Sequence, residues 1–288
     1  MSAVRMKARW FVIPLVLYLA IFSLVPEILA IVESLRSAFL SNFSVQPWSG
    51  LTNYTLVWTT PQFWQSVLFS LKFAVITTLA ELIIGFALSL LFEKVFAGHR
   101  VLVSLLLLPI MLSPALMGIM YELMLNEYVG PITYYLGLIG INMPNIMSGQ
   151  GIVPVVMIID ILEWSPFVFL LLYTSLTSIP SELMESAGMD GATGMRRIGY
   201  ILAPLMRSTM VVAFFMQFMA EFRRFSMLYL FTGGGPGSLT TSVSIFIYKL
   251  GYHIGNLGEA SAASVILVAL MIVPLIFAVR YMVADVSF

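Results

Sequence analysis

Long apolar stretches alternate with short polar segments along the chain. About six stretches are long enough to cross about 30 Å of hydrocarbon as a helix, which takes about 20 residues. They cover approximately residues 10–32, 67–92, 101–125, 152–177, 206–230 and 260–283. Several contain proline or glycine, which spanning helices tolerate where neighbours satisfy the freed backbone groups. The pattern predicts an all-α, polytopic membrane protein with about six kinked transmembrane helices.

Composition agrees with this and excludes several kinds of site. The 288 residues are 60% hydrophobic and 10% charged, whereas soluble domains carry about 25% charged residues. A net charge of zero gives no sign of a nucleic acid partner. Without cysteine, and with only His99 and His253, the chain offers no thiolate chemistry and no Cys- or His-rich metal site. We expect lipid surroundings, no nucleic acid partner, no metal and no cofactor bound by this chain.

The N-terminal stretch resembles a signal peptide, but we predict a retained first span. Basic residues precede the apolar run 10–25, which is too long for a signal peptide and has no small-x-small cleavage site after it. No internal repeat stands out. Residues 1–288 are therefore predicted to form one transmembrane domain, with its core at about 10–283.

Basic residues are distributed unevenly between the two sides of the predicted membrane. Both termini and the even-numbered gaps hold Arg5, Lys7, Arg9, Lys94, Arg100, Arg196, Arg197, Arg207 and Arg280. The odd-numbered gaps hold Arg36, with Lys72 and Lys249 near span edges. Because cytoplasmic loops are enriched in Lys and Arg, both termini are predicted to face the cytoplasm from a plasma or inner membrane.

A polar segment, residues 181–204, separates the fourth and fifth stretches on the predicted cytoplasmic side. Its charged residues are Glu182, Glu185, Asp190, Arg196 and Arg197. Glu185 and Asp190 are expected to hydrogen-bond across a turn or to the arginines. An ordinary solvated loop is the alternative, although long loops without structure are uncommon.

Local signals in this segment predict a helix–turn–helix. Ser181 suits the N-cap of a first helix, and Gly191 permits a backbone reversal that other residues resist. A second helix is predicted over Ala192–Tyr200, ending before Pro204 because proline interrupts helices.

The spacing of these residues resembles the EAA motif of ABC importer permeases, E-A-A-x-x-x-G-x(9)-I-x-L-P. Glu185-Ser186-Ala187 is followed by Gly191 and, after nine residues, by Ile201-Leu202-Ala203-Pro204. Serine replaces the second alanine of the motif, and Ala203 replaces its leucine. Asp190-Gly191-Ala192 also matches the D-G-A of the sugar-permease branch.

Other fragments resemble the maltose-type, binding-protein-dependent sugar permease family from about Pro14 to Pro274. They are Glu163-Trp164-Ser165-Pro166-Phe167, with its tryptophan displaced towards the proline, Leu176-Thr177-Ser178-Ile179-Pro180, Leu230 to Gly237, and Gly258 to Ser264. The resemblance implies half of a permease heterodimer for a sugar, or for a polyol or glycerol phosphate. It also implies a second permease subunit, two cytoplasmic ATPases that bind ATP and Mg, and an extracytoplasmic solute-binding protein.

By the same resemblance, residues 178–205 form a coupling loop that seats in a cleft of the ATPase. The implied coupling residues are Glu185, Ala187, Asp190, Gly191, Arg196, Arg197 and Pro204. The two arginines either pair with acids on the ATPase or serve as a positive-inside anchor.

Charged side chains inside the stretches are costly and point to function. The candidates for a substrate path are Asp160, Glu163 and Trp164 in the fourth stretch and Glu221, Arg223 and Arg224 in the fifth. Carboxylates and a tryptophan face suit a sugar. The alternative is an interhelical ion pair between an acid of the fourth stretch and an arginine of the fifth. Glu81, in the second stretch, is expected to contact a neighbouring helix.

Two rival classes fit the sequence less well. A secondary transporter is expected to show an internal repeat, and an intramembrane hydrolase needs a base that neither histidine is placed to supply. Gly233 to Ser238 is glycine-rich but lacks the Lys-Ser/Thr of a phosphate loop, so we interpret it as a turn. The chain is predicted to be a transport subunit and not an enzyme.

Overall fold

The computed structural model of the protein describes the backbone of residues 2–42, 46–93, 98–126, 128–140 and 149–286. Within these ranges, side chains are described from residue 13 to residue 281. Lys94 and the side chains of Arg5, Lys7 and Arg9, which contribute to the predicted orientation, lie outside the described residues.

The described chain is mostly helical, which confirms the all-α prediction. Its helices are α1 (Ser2–Ser34), α2 (Thr52–Thr59), α3 (Pro61–Leu91), α4 (His99–Leu106), α5 (Pro114–Met124), α6 (Pro131–Leu138), α7 (Ile152–Thr177), α8 (Ser181–Met189), α9 (Gly194–Arg197), α10 (Ala203–Leu205), α11 (Arg207–Phe222), α12 (Ser226–Thr232), α13 (Val243–Tyr248) and α14 (Leu257–Val286). Extended pairing in these residues is limited to two isolated bridges, Arg36 with Trp48 and Phe39 with Asn256.

Among the described residues, four continuous helices are long and apolar enough to cross a membrane. They are Ile13–Ser34, Pro61–Leu91, Ile152–Thr177 and Leu257–Tyr281. A fifth span results if Gly194–Leu205 and Arg207–Phe222, bent by 69° at the break between them, are counted together. The fourth predicted stretch matches α7 at both ends, whereas α3 begins at Pro61 instead of residue 67.

The third and fifth predicted stretches are broken helices. In the third, α4 gives way to a 3-10 turn at Pro109, and α5 begins at Pro114; proline supplies no N–H for a continuous helix. In the fifth, α11 ends at Phe222 and α12 begins at Ser226. Serine hydroxyls satisfy the carbonyl groups at this break, as spanning helices require: Ser244 Oγ donates to Arg223 O at 3.0 Å and Ser242 Oγ to Arg224 O at 2.7 Å.

The chain divides into two compact units. One comprises Met1–Trp64 and Phe246–Leu270, and the other comprises Gln65–Ile245 and Met271–Phe288. In the first unit, the Asn53 amide donates to the carbonyl groups of Ser34 and Arg36 at 2.8 Å each, which fixes the segment after α1. The prediction that residues 1–288 form one domain stays a prediction.

Helix α7 organises the second unit. Residues in its first half pack in an apolar cluster with Met227, Leu228 and Phe231 of α12, and residues in its second half pack in another with Leu202 and Met206. Asp160 and Glu163 lie between these two clusters along the helix and are buried. Therefore α7 holds two carboxylates in a polar layer bounded by apolar packing.

The glycine-rich segment after α12 is a turn, as predicted. Gly233 has a φ of +61° and Gly234 a φ of +84°, a left-handed conformation that glycine adopts without the usual steric cost. Thr241 Oγ1 donates to Gly234 O at 2.7 Å, and Thr240 Oγ1 donates to Gly235 O at the same distance. These hydroxyl groups hold the turn closed.

Candidate functional site

The first helix of the polar segment, α8, is amphipathic in its environment as well as its sequence. Ala187 is buried, whereas Glu185 and Asp190 are exposed. The helix starts at Ser181, but its N-cap is Pro180 and no side chain caps it, so the prediction of a Ser181 cap is wrong. An N-terminal helix N–H group can be satisfied by water, which is available at this exposed end.

Gly191 makes the turn after α8. Its φ is +74°, and the N–H of Ala192 donates to Ala187 O at 2.9 Å, an arrangement typical of a helix that ends in a left-handed residue. A Cβ atom added at Gly191 would meet nothing within 4 Å. The requirement for glycine therefore comes from the backbone conformation and not from lack of space, and the predicted reversal is confirmed.

The second helix differs from the prediction. It begins at Gly194 instead of Ala192, widens into a π-helical turn over Ile198–Leu202, and continues through Pro204 into α10. In the wide turn, the N–H of Ala203 reaches Ile198 O. Proline is accommodated here because the π turn re-pairs the backbone around a residue that has no N–H to donate.

The arginines of the segment have different environments. Arg196 is exposed, whereas the guanidinium of Arg197 forms an ion pair with Glu93, which follows the end of α3. Neither Glu185 nor Asp190 forms an ion pair with a described residue, so the expected bonds from these acids to the arginines are absent from that part of the chain. Exposed carboxylates remain well solvated by water and gain little from pairing.

Apolar side chains on the same segment are unusually exposed, which the sequence pattern did not predict. Met189 is 84% exposed, Met195 80% and Tyr200 82%. Other residues of the same segment line a cavity of about 460 Å³. It is lined by Ser181, Met184, Glu185, Gly188, Ala192, Thr193, Gly194 and Arg197. Flexible methionines on a surface suit a protein partner. Their occurrence in an otherwise polar segment was the sequence signal that could have predicted this apolar surface.

A second group of polar residues lies among α3, α7 and α11 and is largely buried; we call it the polar cluster. Its members are Glu81, Asp160, Trp164, Gln217, Glu221 and Arg224. Nε of Arg224 donates to Glu221 Oε2 at 2.9 Å and lies 3.0 Å from Asp160 Oδ1. The same guanidinium also pairs with Glu221 Oε1 and lies 4.8 Å from the centre of the Trp164 ring. The interhelical ion pair considered as an alternative is therefore present, between Asp160 and Arg224.

A neutral residue extends the polar cluster to α3. Gln217 Nε2 donates to Glu81 Oε2 at 2.9 Å, and both residues are buried. The expected contact of Glu81 with a neighbouring helix is confirmed. Gln217 was not singled out from the sequence, although it lies one turn before Glu221 and so shares its face of α11.

Among the residues that the structure describes, one group of three carboxylates is close enough together to hold a cation, and it lies in the polar cluster. Glu81, Asp160 and Glu221 each present an oxygen within 4.8 Å of the others. However, Arg224 already occupies both oxygens of Glu221, and Gln217 occupies one oxygen of Glu81. We therefore interpret the polar cluster as a set of polar contacts that holds α3, α7 and the end of α11 together.

The structure brings together most of the predicted substrate-path residues but separates Arg223 from them. Asp160, Trp164, Glu221 and Arg224 meet in the polar cluster, and Glu163 is buried close by on α7. Arg223, at the break after α11, is exposed and forms no ion pair with a described residue.

A known protein family matches nearly the whole chain. The family described as "Binding-protein-dependent transport system inner membrane component" matches residues 3–287. The trehalose/maltose transport system permease protein MalF of Thermococcus litoralis is 30% identical, over 79% of this chain and 77% of that protein. The sn-glycerol-3-phosphate transport system permease protein UgpA of Brucella suis is 31% identical, over 80% and 79%.

Two solved structures have a similar fold. A chain of a bacterial ABC transporter that imports the acidic polysaccharide alginate matches with a TM-score of 0.83 and 21% identity, over 96% of both chains. A chain of a bacterial alginate ABC transporter in complex with a periplasmic protein bound to alginate pentasaccharide matches with a TM-score of 0.81 and 19% identity, over 95% of this chain and 92% of that one. At these identities the likeness concerns the fold alone.

Proposed function

The chain belongs to the family of binding-protein-dependent transport system inner membrane components, and we propose that it forms half of the translocation pathway for a sugar in an ATP-driven importer. Membership makes it a multi-pass membrane permease subunit of the ABC type and not an enzyme. The finer proposals concern its partners, its orientation and its cargo.

The structure of the coupling loop, residues 178–205, is the main support for the proposal. An exposed helix–turn–helix with a left-handed glycine at the EAA spacing is a compact element for a partner to grip. Its exposed Met189, Met195 and Tyr200 supply apolar contact area, which is enriched at the centre of protein interfaces. The partner we propose is a cytoplasmic ATPase that binds ATP and Mg.

The remaining partners follow from the proposed architecture. We propose a second permease subunit as the other half of the pathway, two ATPase subunits on the cytoplasmic side, and an extracytoplasmic solute-binding protein. Both termini then face the cytoplasm, as the distribution of basic residues predicts. The names of the relatives support transport assemblies of this general kind.

A sugar is the proposed cargo, and an anionic cargo such as glycerol phosphate is the second candidate. The MalF relative, a trehalose/maltose transport system protein, supports the first. The exposed Arg223 favours the second, because Arg224 beside it is already neutralised by Glu221 and Asp160. An exposed guanidinium at a helix break suits a phosphate or carboxylate group, and the UgpA relative is a glycerol phosphate transport system protein.

One experiment tests the proposal at two levels. The tagged chain, expressed with its native membrane partners, is purified in mild detergent, and the associated proteins are identified. The complex is then placed in vesicles and supplied with radiolabelled maltose, trehalose or glycerol 3-phosphate, each bound to the cognate solute-binding protein. We expect an associated ATPase and uptake that needs ATP. Uptake driven by an ion gradient without ATP would identify a secondary transporter and overturn the proposal.

A further inference from the structure

Arg197 forms its ion pair within its own chain. Its Nη2 pairs with Glu93 Oε1 and lies 3.4 Å from Met184 Sδ. Both side chains of the ion pair are 28% exposed, whereas the neighbouring Arg196 is exposed. The contact joins two elements that are far apart in the sequence, because Glu93 follows α3 and Arg197 ends α9.

The ion pair lies beside an apolar contact between the coupling loop and two spans. Leu202 and Met206 are buried against Val168, Leu172 and Leu176 of α7. Partly buried residues that pack on this cluster are Leu82, Phe86 and Leu90 of α3 and Met184 and Ile198 of the loop. The loop therefore packs on both α3 and α7, and the ion pair additionally joins it to Glu93, just after the end of α3.

The connectivity of the chain determines which helices need a non-covalent contact to move with the coupling loop. The coupling loop continues directly from α7 and leads through α10 into α11, so these two helices are joined to it covalently. Helix α3 has no such connection, and only non-covalent contacts can move it together with the loop. Packing contacts can slide past one another, whereas a charge-assisted hydrogen bond fixes a specific geometry.

We propose that Glu93 and Arg197 form a clasp that fastens the coupling loop to the end of α3, so that a displacement of the loop is passed to the second span. This inference rests on the proposed function, because a partner ATPase supplies the displacement. Glu93 and Arg197 act as positioning residues. The exposed Arg196 is then available to contact the partner ATPase. On this proposal, Arg197 pairs within its own chain instead of with an acid on the ATPase, which was one of the two alternatives that the resemblance left open.

Charge reversal with rescue tests the clasp. Glu93→Arg and Arg197→Glu are made singly and together in the assembled importer, and the rate of ATP hydrolysis and the amount of ATPase retained are measured. We expect each single reversal to lower hydrolysis about 2- to 5-fold, as for a partly exposed ion pair, and the double reversal to restore it to within about 2-fold of wild type. Arg100→Glu, an exposed arginine outside the loop, is the matched control.

The rescue separates the two possible partners of Arg197. If Arg197 contacts an acid on the ATPase, Arg197→Glu lowers ATPase retention and the added Glu93→Arg cannot restore it, which would overturn the clasp. Unchanged hydrolysis in both single reversals would overturn it as well. The melting temperature of each complex shows whether a loss of hydrolysis comes only from unfolding, and a double reversal that restores hydrolysis without altering melting supports a positioning role.

Thiol cross-linking tests the contact even without an ATPase. The chain has no cysteine, so Glu93→Cys with Arg197→Cys gives a single reactive pair in the purified chain. A short, reducible bis-methanethiosulfonate is expected to join the two positions in the purified chain. In the assembled importer, the cross-link is expected to leave ATP hydrolysis within about 2-fold of the reduced sample. Absence of the cross-link, or hydrolysis that stops until reductant is added, would overturn the clasp. If no ATPase accompanies the wild-type chain, the proposed function fails while the cross-link still decides the contact.

Discussion

Two pairs of adjacent arginines, Arg196–Arg197 in the coupling loop and Arg223–Arg224 at the break after α11, are divided in the same way. In the loop, Arg197 pairs with Glu93 while Arg196 is exposed. In the polar cluster, Arg224 is enclosed by Glu221 and Asp160 while Arg223 is exposed. The paired arginine of each set joins elements of this chain, and the exposed one is available to a partner or a cargo. We therefore expect the paired arginines to govern stability and geometry, and the exposed ones to govern recognition.

The largest effect is expected from Arg224→Ala. The substitution leaves Asp160 and Glu221 buried without their cation, and loss of one member of a buried ion pair costs about 3–5 kcal/mol. We expect a strongly lowered melting temperature in detergent and a poor yield of folded chain. Arg223→Ala, at the neighbouring position, is the matched control and is expected to melt like wild type. Equal melting of both variants would contradict the division between paired and exposed arginines.

The link from the polar cluster to α3 is expected to contribute less. Gln217→Leu removes the N–H group that donates a hydrogen bond to Glu81 Oε2. An unsatisfied buried acceptor costs about 1–3 kcal/mol. The loss should appear as a lower melting temperature of the purified chain. Glu81→Gln provides the control, because its amide oxygen can still accept from Gln217. If the control is destabilised as much as Gln217→Leu, the carboxylate contributes through its charge and not through this hydrogen bond.

The turn of the coupling loop should respond to backbone strain alone. Gly191→Val forces a β-branched residue to a φ of +74°, and a left-handed conformation costs about 1–2 kcal/mol for such a residue. We expect the loop to change shape and ATP hydrolysis by the assembled complex to fall, with little change in overall melting. Gly137→Ala, inside α6, outside the coupling loop and with open space at its Cβ position, is expected to keep wild-type hydrolysis. Equal rates in the two variants would show that the shape of the turn is not used in coupling.

Hydrophobic pattern and spacing predicted the parts of the molecule that depend on local sequence. Helix α7 begins and ends where the apolar stretch does, because a continuous apolar run has no better conformation in lipid than a helix. The helix–turn–helix around Gly191 was also predictable, since the left-handed position almost requires glycine. Even the alternative ion pair between the fourth and fifth stretches was accessible, because few charged residues lie inside those stretches.

Contacts across the chain were not predictable from those patterns. The pairing of Arg197 with Glu93 and of Gln217 with Glu81 joins residues that are distant in sequence, and nothing in the local pattern indicates which elements meet. The π turn before Pro204 was missed for a different reason. Proline ordinarily interrupts a helix, and here the π turn re-pairs the backbone around it while Leu202 and Met206 pack against α7, a contact that the local pattern does not indicate.

The smallest effect on stability, and the sharpest test of the comparison, is expected from Arg223→Gln. Its side chain is exposed and forms no ion pair with a described residue, and such substitutions usually change stability by less than about 0.5 kcal/mol. Uptake should nevertheless fall if Arg223 meets the cargo, and it should fall more for glycerol 3-phosphate than for maltose, because only the former carries a charge for the guanidinium to bind. Arg223→Lys keeps the charge and should recover part of the glycerol 3-phosphate uptake. Normal melting with equal uptake by wild type and Arg223→Gln for every cargo tested would show that this exposed arginine does not contact the cargo, and would restrict the recognition role to the coupling loop.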